Sequence, residues 1–208
     1  MPTLIVTSVA AEAEAIGAHT GTRVVTSGIG RTNAAAATTE AILRHGPFEC
    51  VLSVGVAGAL PGGGLPIGGI VVASSCHYVE EGLFTPGGFT DITALGLALG
   101  DFSGNEVPVD GRLLAVLRER FAVGPIATVA TCSGSDPAAQ EVVRRTGAVA
   151  EAMEGAAVVH AARRLGVGGI ELRAISNTTG DRDRQQWDLA GALAALSRAV
   201  ARALDAIG

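Results

Sequence analysis

Two glutamates, Glu12 and Glu14, follow the first strand-like run of the chain, and a third, Glu154, stands among Met153, Ala156, Ala157 and Val158, residues suited to burial. Carboxylates abstract protons or grip hydroxyl groups, and one enclosed by apolar neighbours needs hydrogen-bonding partners, of which sugar hydroxyls are an example. Glu12 and Glu14 open one helix and point roughly 200° apart around it, so at most one of them faces a shared site. Two glycine-rich segments, Gly28-Ile29-Gly30-Arg31 and Gly55-Val56-Ala57-Gly58, would let backbone approach a ligand closely. Glu151 reads as a first-turn acid that complements a helix dipole.

Composition narrows the chemistry. All fifteen basic side chains are arginine and there is no lysine, which excludes Schiff-base chemistry and a P-loop lysine. At a net charge of −5 the chain offers no basic stripe, and no nucleic-acid partner is expected. Glycine, 29 of 208 residues, is about twice its ordinary share. The run Gly28 to Asn33 starts like a dinucleotide fingerprint, but Asn33 stands where the third glycine belongs and no acidic residue closes the next strand. Cys50, Cys76 and Cys132, like His19, His45, His77 and His160, lack metal-ligand spacing, so no metal and no cofactor are expected. Unpaired cysteines, an N-terminus without a charged leader and no apolar run of about 18 residues fit a cytoplasmic protein with no membrane contact.

These residues need a scaffold. Strands are expected over Leu4 to Val9, Arg23 to Thr26, Cys50 to Val54, Ile70 to Ala73, Ile126 to Thr131 and Ile170 to Ile175. Helices are expected over Ala10 to Ala18, Thr32 to Arg44, Gly111 to Phe121, Pro137 to Thr146, Met153 to Leu165 and Asp188 to Ile207. Continuous apolar strands alternating with Ala-rich helices imply one α/β domain over residues 1–208, with a central mixed, mostly parallel sheet flanked by helices. Ligands bind beyond the carboxyl ends of parallel strands, which brings Glu12, Gly28, Gly58, Ser133, Gly134 and Asn177 to one end. Leu60 to Gly69 and Glu80 to Asn105 read as long functional loops.

Met153-Glu154-Gly155-Ala156-Ala157 and Arg173-Ala174-Ile175-Ser176-Asn177 resemble the paired signatures of the purine nucleoside phosphorylase and nucleosidase superfamily. Ser27 to Gly30 and Val54 to Leu60 resemble its two glycine-rich loops. Within that superfamily, Ile175 to Asp183 with Trp187 is most similar to the futalosine hydrolases of an alternative menaquinone pathway. The resemblance implies cleavage of the N-glycosidic bond of a small-molecule purine nucleoside and assembly as a homodimer or larger homo-oligomer. It makes Glu12 the water-activating base, with Glu14 as fallback, and places Met153 and Glu154 on the ribose. Gly28, Gly58, Ser133 and Gly134 would line the substrate.

Asn177 occupies the position where adenine-cleaving relatives carry Asp. An amide accepts from a protonated N7 and donates to a 6-oxo group, which suits hypoxanthine but leaves the proton source open between Asp183 and Asp181. Tyr78, Phe84 and Phe89 could form a trough for a large 5′ substituent or anchor their loop. Arg31 could join a phosphate site with Gly28 to Gly30, but the second loop holds no Arg or Ser to complete one, so hydrolysis is favoured over phosphorolysis. A phosphorylase, a methylthioadenosine or adenosylhomocysteine nucleosidase, and a non-catalytic nucleoside binder are the alternatives.

Overall fold

The computed structural model describes residues 2–208. In chain order its elements are β1 (Thr3–Thr7), α1 (Ala10–Ile16), β2 (Thr22–Thr26), α2 (Arg31–His45), β3 (Cys50–Ala59), β4 (Ile70–Tyr78), β5 (Gly82–Thr85), β6 (Gly88–Asp91), β7 (Glu106–Pro108), α3 (Gly111–Leu117), β8 (Ala122–Thr128), α4 (Asp136–Thr146), β9 (Ala150–Ala152), α5 (Gly155–Arg164), β10 (Gly168–Thr178), a 3-10 turn (Arg182–Arg184) and α6 (Leu189–Ile207).

Strand β3 organises the sheet. Its first half pairs in parallel with β1, which in turn carries β2, while its other edge pairs in parallel with β10 along nearly its whole length. At its far end Gly58 and Ala59 pair with β9, so β3, β10, β4, β8 and β9 close into a ring. The β4–β10, β3–β9 and β4–β7 pairs are antiparallel and the remaining pairs of this sheet are parallel, which gives the expected mixed, mostly parallel sheet. It is not, however, the simple open sheet assumed when ligand positions were read from strand ends.

Both faces are buried, as the continuous apolar strands require. Leu4, Val6 and Val51 pack with α2 and α5 residues such as Ala34, Ala41 and Val158. Ile5, Leu52 and Leu172 point the other way, onto Leu117, Leu196 and Val200 of α3 and α6. None of the helices of the described residues is long and apolar enough to cross a membrane.

Several expected boundaries move. The glycine segment 55–58 and Ser176-Asn177 lie inside β3 and β10 rather than after them, because the two strands continue to hydrogen-bond each other. The strand expected over Ile126 to Thr131 begins at Ala122 and ends at Thr128. The helix expected from Met153 starts at Gly155, because Ala150 to Ala152 are held between β3 and β8 as a strand. Within the expected loop Glu80 to Asn105, β5 and β6 form a hairpin.

Candidate active site

Helix α1 leaves β1 after a single corner, Ser8-Val9, and Val9 has no side chain able to cap it. Glu12, in the first turn, bends back to do so. Its Oε2 accepts from Ser8 N (2.9 Å), Ser8 Oγ (2.8 Å) and Val9 N (3.3 Å), and its Oε1 accepts from Val56 N (2.9 Å). Four donors hold this carboxylate in place, and it is only 2% exposed. Three of them saturate Oε2, whereas Oε1 keeps a free lone pair. Glu14, two residues on, is exposed on the opposite side of the helix.

The position beside Glu12 is vacant of side chain because residue 55 is glycine. A Cβ there would lie 2.4 Å from Arg173 Nη1 and 2.5 Å from Glu12 Oε1. Arg173 is 1% exposed on β10; its Nε donates to Glu171 Oε1 (2.8 Å), its Nη2 donates to Ser53 Oγ (3.3 Å), and Nη2 lies 3.6 Å from Glu154 Oε2. Burial opposes its charge, but Glu171, Glu154 and Glu12 outweigh that and raise its pKa above the ordinary arginine value. Glu171 is fully buried, accepts from the Cys76 thiol (3.1 Å) and lies over Gly155, where a Cβ would fall 1.9 Å from its Oε2.

Glu154 stands at the N-cap of α5, and Gly30 N donates to its Oε1 (3.0 Å). The first glycine loop therefore closes onto the carboxylate that the sequence singles out. Gly28 and Gly30 both have positive φ, 88° and 93°, a conformation that a side chain would strain. Met153 is half-buried next to Glu154. Three acidic side chains, Glu12, Glu154 and Glu171, thus cluster around the one guanidinium of Arg173.

A second polar group forms where three strands align. Asn177 of β10 and Glu151 of β9 are both register partners of Gly58 on β3. With no side chain at Gly58, they occupy the same face: its Cβ would lie 3.1 Å from Asn177 Nδ2 and 3.7 Å from Glu151 Cγ. Asn177 Oδ1 accepts from Ser176 Oγ (2.8 Å), and its Nδ2 donates to Thr178 O (2.9 Å). Glu151 accepts from both Ser133 N (2.7 Å) and Ser133 Oγ (2.6 Å). Burial pushes its carboxyl up, the two Ser133 bonds pull part of that back, and the charge of Glu80 adds to it. The reading of Glu151 as a first-turn dipole acid is therefore wrong: it is a buried strand residue that pins the Ser133 loop.

Most of the other expected residues are engaged with partners outside these two groups. Gly134 is exposed, its carbonyl accepting from Arg182 N (3.1 Å). Asp183 is exposed in the 3-10 turn, with no side-chain hydrogen bond or ion pair to any described residue. Asp181 and Asp136 exchange backbone-to-carboxylate bonds of 3.0 Å each, and Arg184 bridges both, so Asp181 fastens a loop. Arg31 pairs with Glu80 (3.3 Å) and Glu81 (2.5 Å). Phe84 and Phe89 pack edge-to-face at 5.3 Å and both hold Arg145 over their rings, which anchors the β5–β6 hairpin. The Tyr78 hydroxyl lies 3.4 Å from His160 Nδ1, away from both groups.

Arg173 entered the sequence reading only as part of a motif, and Glu171 not at all. Their signal is present: two charges at alternate positions of the otherwise apolar run Ile170 to Ile175 share one face of a buried strand, and buried charges at that spacing pair with something.

The family model described as the phosphorylase superfamily matches residues 11–207. A futalosine hydrolase of Acidothermus cellulolyticus is 40% identical, over 95% of this chain and 88% of its own, and one of Thermus thermophilus is 40% identical over 89% and 82%. Among solved structures, a futalosine hydrolase mutant of Helicobacter pylori superposes with a TM-score of 0.80 at 22% identity, covering 98% of both chains. A methylthioadenosine/adenosylhomocysteine nucleosidase of the same organism gives 0.80 at 22%, covering 98% of this chain and 97% of that one. These last two show the shared fold. With a superfamily match over residues 11–207 and relatives at 40% identity across most of both chains, this chain belongs to the phosphorylase superfamily and, within it, to the futalosine hydrolases.

Proposed function

We propose that the protein hydrolyses the N-glycosidic bond of futalosine, releasing hypoxanthine and dehypoxanthine futalosine in menaquinone synthesis. The observation that carries the chemistry is the setting of Glu12, a buried carboxylate held by four donors with one lone pair of Oε1 open beside the Arg173 and Glu154 pair. A water on Oε1 loses its proton to Glu12 as its oxygen bonds to C1′. Glu154 Oε2 accepts from the ribose hydroxyls, and the negative cluster favours the cationic sugar of the transition state. Arg173 keeps the packed carboxylates from repelling one another. The departing purine meets Asn177, which accepts from N7–H and donates to O6 once its amide leaves its local partners.

Hydrolysis rather than phosphorolysis is supported by Arg31. Its guanidinium is matched by Glu80 and Glu81, so the first glycine loop has no free cation for phosphate. We further propose a cytoplasmic homodimer or larger homo-oligomer.

The test is to incubate the protein with futalosine, inosine and methylthioadenosine in phosphate-free buffer and follow free base by chromatography. Hypoxanthine from futalosine, with no adenine from methylthioadenosine, is the expected result. A strict requirement for phosphate would replace this reading with a phosphorylase, and stoichiometric binding without cleavage would replace it with a binding protein.

A further inference from the structure

The reaction needs a proton for the leaving base, and Asn177 has none to give near neutral pH. The two acids that the sequence offers for this role are poorly placed, Asp181 being locked to Asp136 and Arg184, and Asp183 standing exposed with no side-chain hydrogen bond or ion pair to any described residue. The structure assigns the role to Glu151: we propose that it is the buried acid that protonates the departing purine, through the hydroxyl of Ser133, on the face where Asn177 holds the base. This rests on the reading of the protein as a nucleosidase.

Three observations carry the assignment. Glu151 and Asn177 flank Gly58 in register on one face of the sheet, so an acid and the base-binding amide share one end of the site. The 2.6 Å contact between Ser133 Oγ and Glu151 Oε2 is short enough for a proton to pass in either direction. Burial and the charge of Glu80 favour the protonated form of Glu151, and the two Ser133 bonds offset them only in part. Gly58 of β3, Ala127 of β8 and Asn177 of β10 bring no charge, Glu80 adds a negative one, and the Cys132 thiol of the adjoining loop is itself pushed up by burial, Glu151 and Glu154. Among the described residues no cation is paired with Glu151, in contrast to Glu154 and Glu171.

The step balances. The C1′–N9 bond breaks and its electron pair stays on the purine. The Ser133 hydroxyl proton passes to purine N7, and Ser133 Oγ takes the Glu151 proton. The carboxylate left behind accepts the two Ser133 bonds seen in the structure. Water supplies the oxygen bonded to C1′ and gives its proton to Glu12; Glu12 later releases that proton to solvent, and solvent returns one to Glu151.

The Ser133 loop is also held from the other side, by Gln185 Nε2 on Ser133 O (3.2 Å) and Arg182 N on Gly134 O (3.1 Å), so its position does not depend on Glu151 alone. This allows a clean test with Glu151→Gln and Ser133→Ala, assayed on futalosine across pH beside the unaltered protein. Hypoxanthine release by the unaltered protein tests the nucleosidase reading; the variants test the acid. Glu151→Gln is expected to lower kcat about 100-fold or more with KM within about threefold, and to lose the fall in kcat at high pH that reports a required acid. Ser133→Ala is expected to lower kcat to a similar extent. If Glu151→Gln keeps the alkaline fall, or raises KM while kcat holds, Glu151 only braces the loop and the proposal is overturned. Should Glu151→Gln fail to fold, Ser133→Ala decides alone: an unchanged kcat overturns the relay.

Discussion

Glu12 and Arg173 meet over the bare backbone of Gly55, each with an atom inside the volume that a single methyl group would fill. The placement of both side chains thus depends on one missing Cβ. Gly55→Ala would put a Cβ 2.4 Å from Arg173 Nη1 and 2.5 Å from Glu12 Oε1, and neither side chain has room to retreat, since Arg173 is tied to Glu171 and Glu12 to the Ser8-Val9 corner. We expect Gly55→Ala to reduce kcat at least about 100-fold and to destabilise the fold by roughly 1–3 kcal/mol, the usual cost of overpacking. Steady-state assays and thermal unfolding measure the two; an active, equally stable variant would show that the cluster relaxes freely.

Glu12 and Glu14 are separated by their surroundings rather than by their type. Glu12 is enclosed and accepts four hydrogen bonds, whereas Glu14 is exposed. Glu12→Gln should keep futalosine binding and lose about 10²- to 10⁴-fold in turnover, the range ascribed to a positioned base. Glu14→Gln should stay within about twofold of the parent, as surface substitutions generally do. Binding by calorimetry and initial rates on the same preparations check both; comparable losses in the two variants would move the base off Glu12.

How much of this was legible beforehand depends on the range of the interaction involved. The βα alternation reports local propensity and burial, and it located the sheet, the helices and the Glu12 corner. Glu154 stood out because a carboxylate among apolar residues must have partners. The glycines at 55 and 58 were read as a loop, which is the commoner meaning of such a run. They are strand residues kept small because Arg173, Glu12, Asn177 and Glu151 cross them, and that reason lies in segments more than forty positions distant in either direction. Ala150-Glu151-Ala152 has no strand propensity of its own, and only β3 and β8 on its two sides make it one. Arg31 looked free for an anion because its partners, Glu80 and Glu81, arrive from the far end of β4.

In the proposed function, Asn177 reads position 6 of the departing purine. Its amide would present an acceptor to N7–H and a donor to O6, while a carboxylate at the same place presents acceptors only. Asn177→Asp should lower kcat/KM for futalosine about 10- to 100-fold, the penalty of a buried polar group left without its partner, and should raise activity on the 6-amino analogue. The ratio of the two kcat/KM values is the readout. If the ratio does not move, the amide is not reading position 6.

The burial of Glu151 makes a separate prediction about stability, with a definite sign. Its carboxyl pKa is raised in the fold, first by burial, so the folded protein binds that proton more tightly than the unfolded chain does. The stability it contributes is complete below the ordinary carboxylate range and is lost as pH rises through the raised folded value. A glutamine at 151 does not titrate. The difference in Tm between Glu151→Gln and the unaltered protein should therefore shift in favour of the variant as pH rises from about 4 to about 8, whatever its starting offset. Comparing the two proteins at each pH cancels the titration of groups that do not interact with residue 151. A difference that stays flat would mean that Glu151 titrates alike in the folded and unfolded chains, and a difference that falls would mean that the two Ser133 bonds outweigh burial and hold the carboxylate ionised.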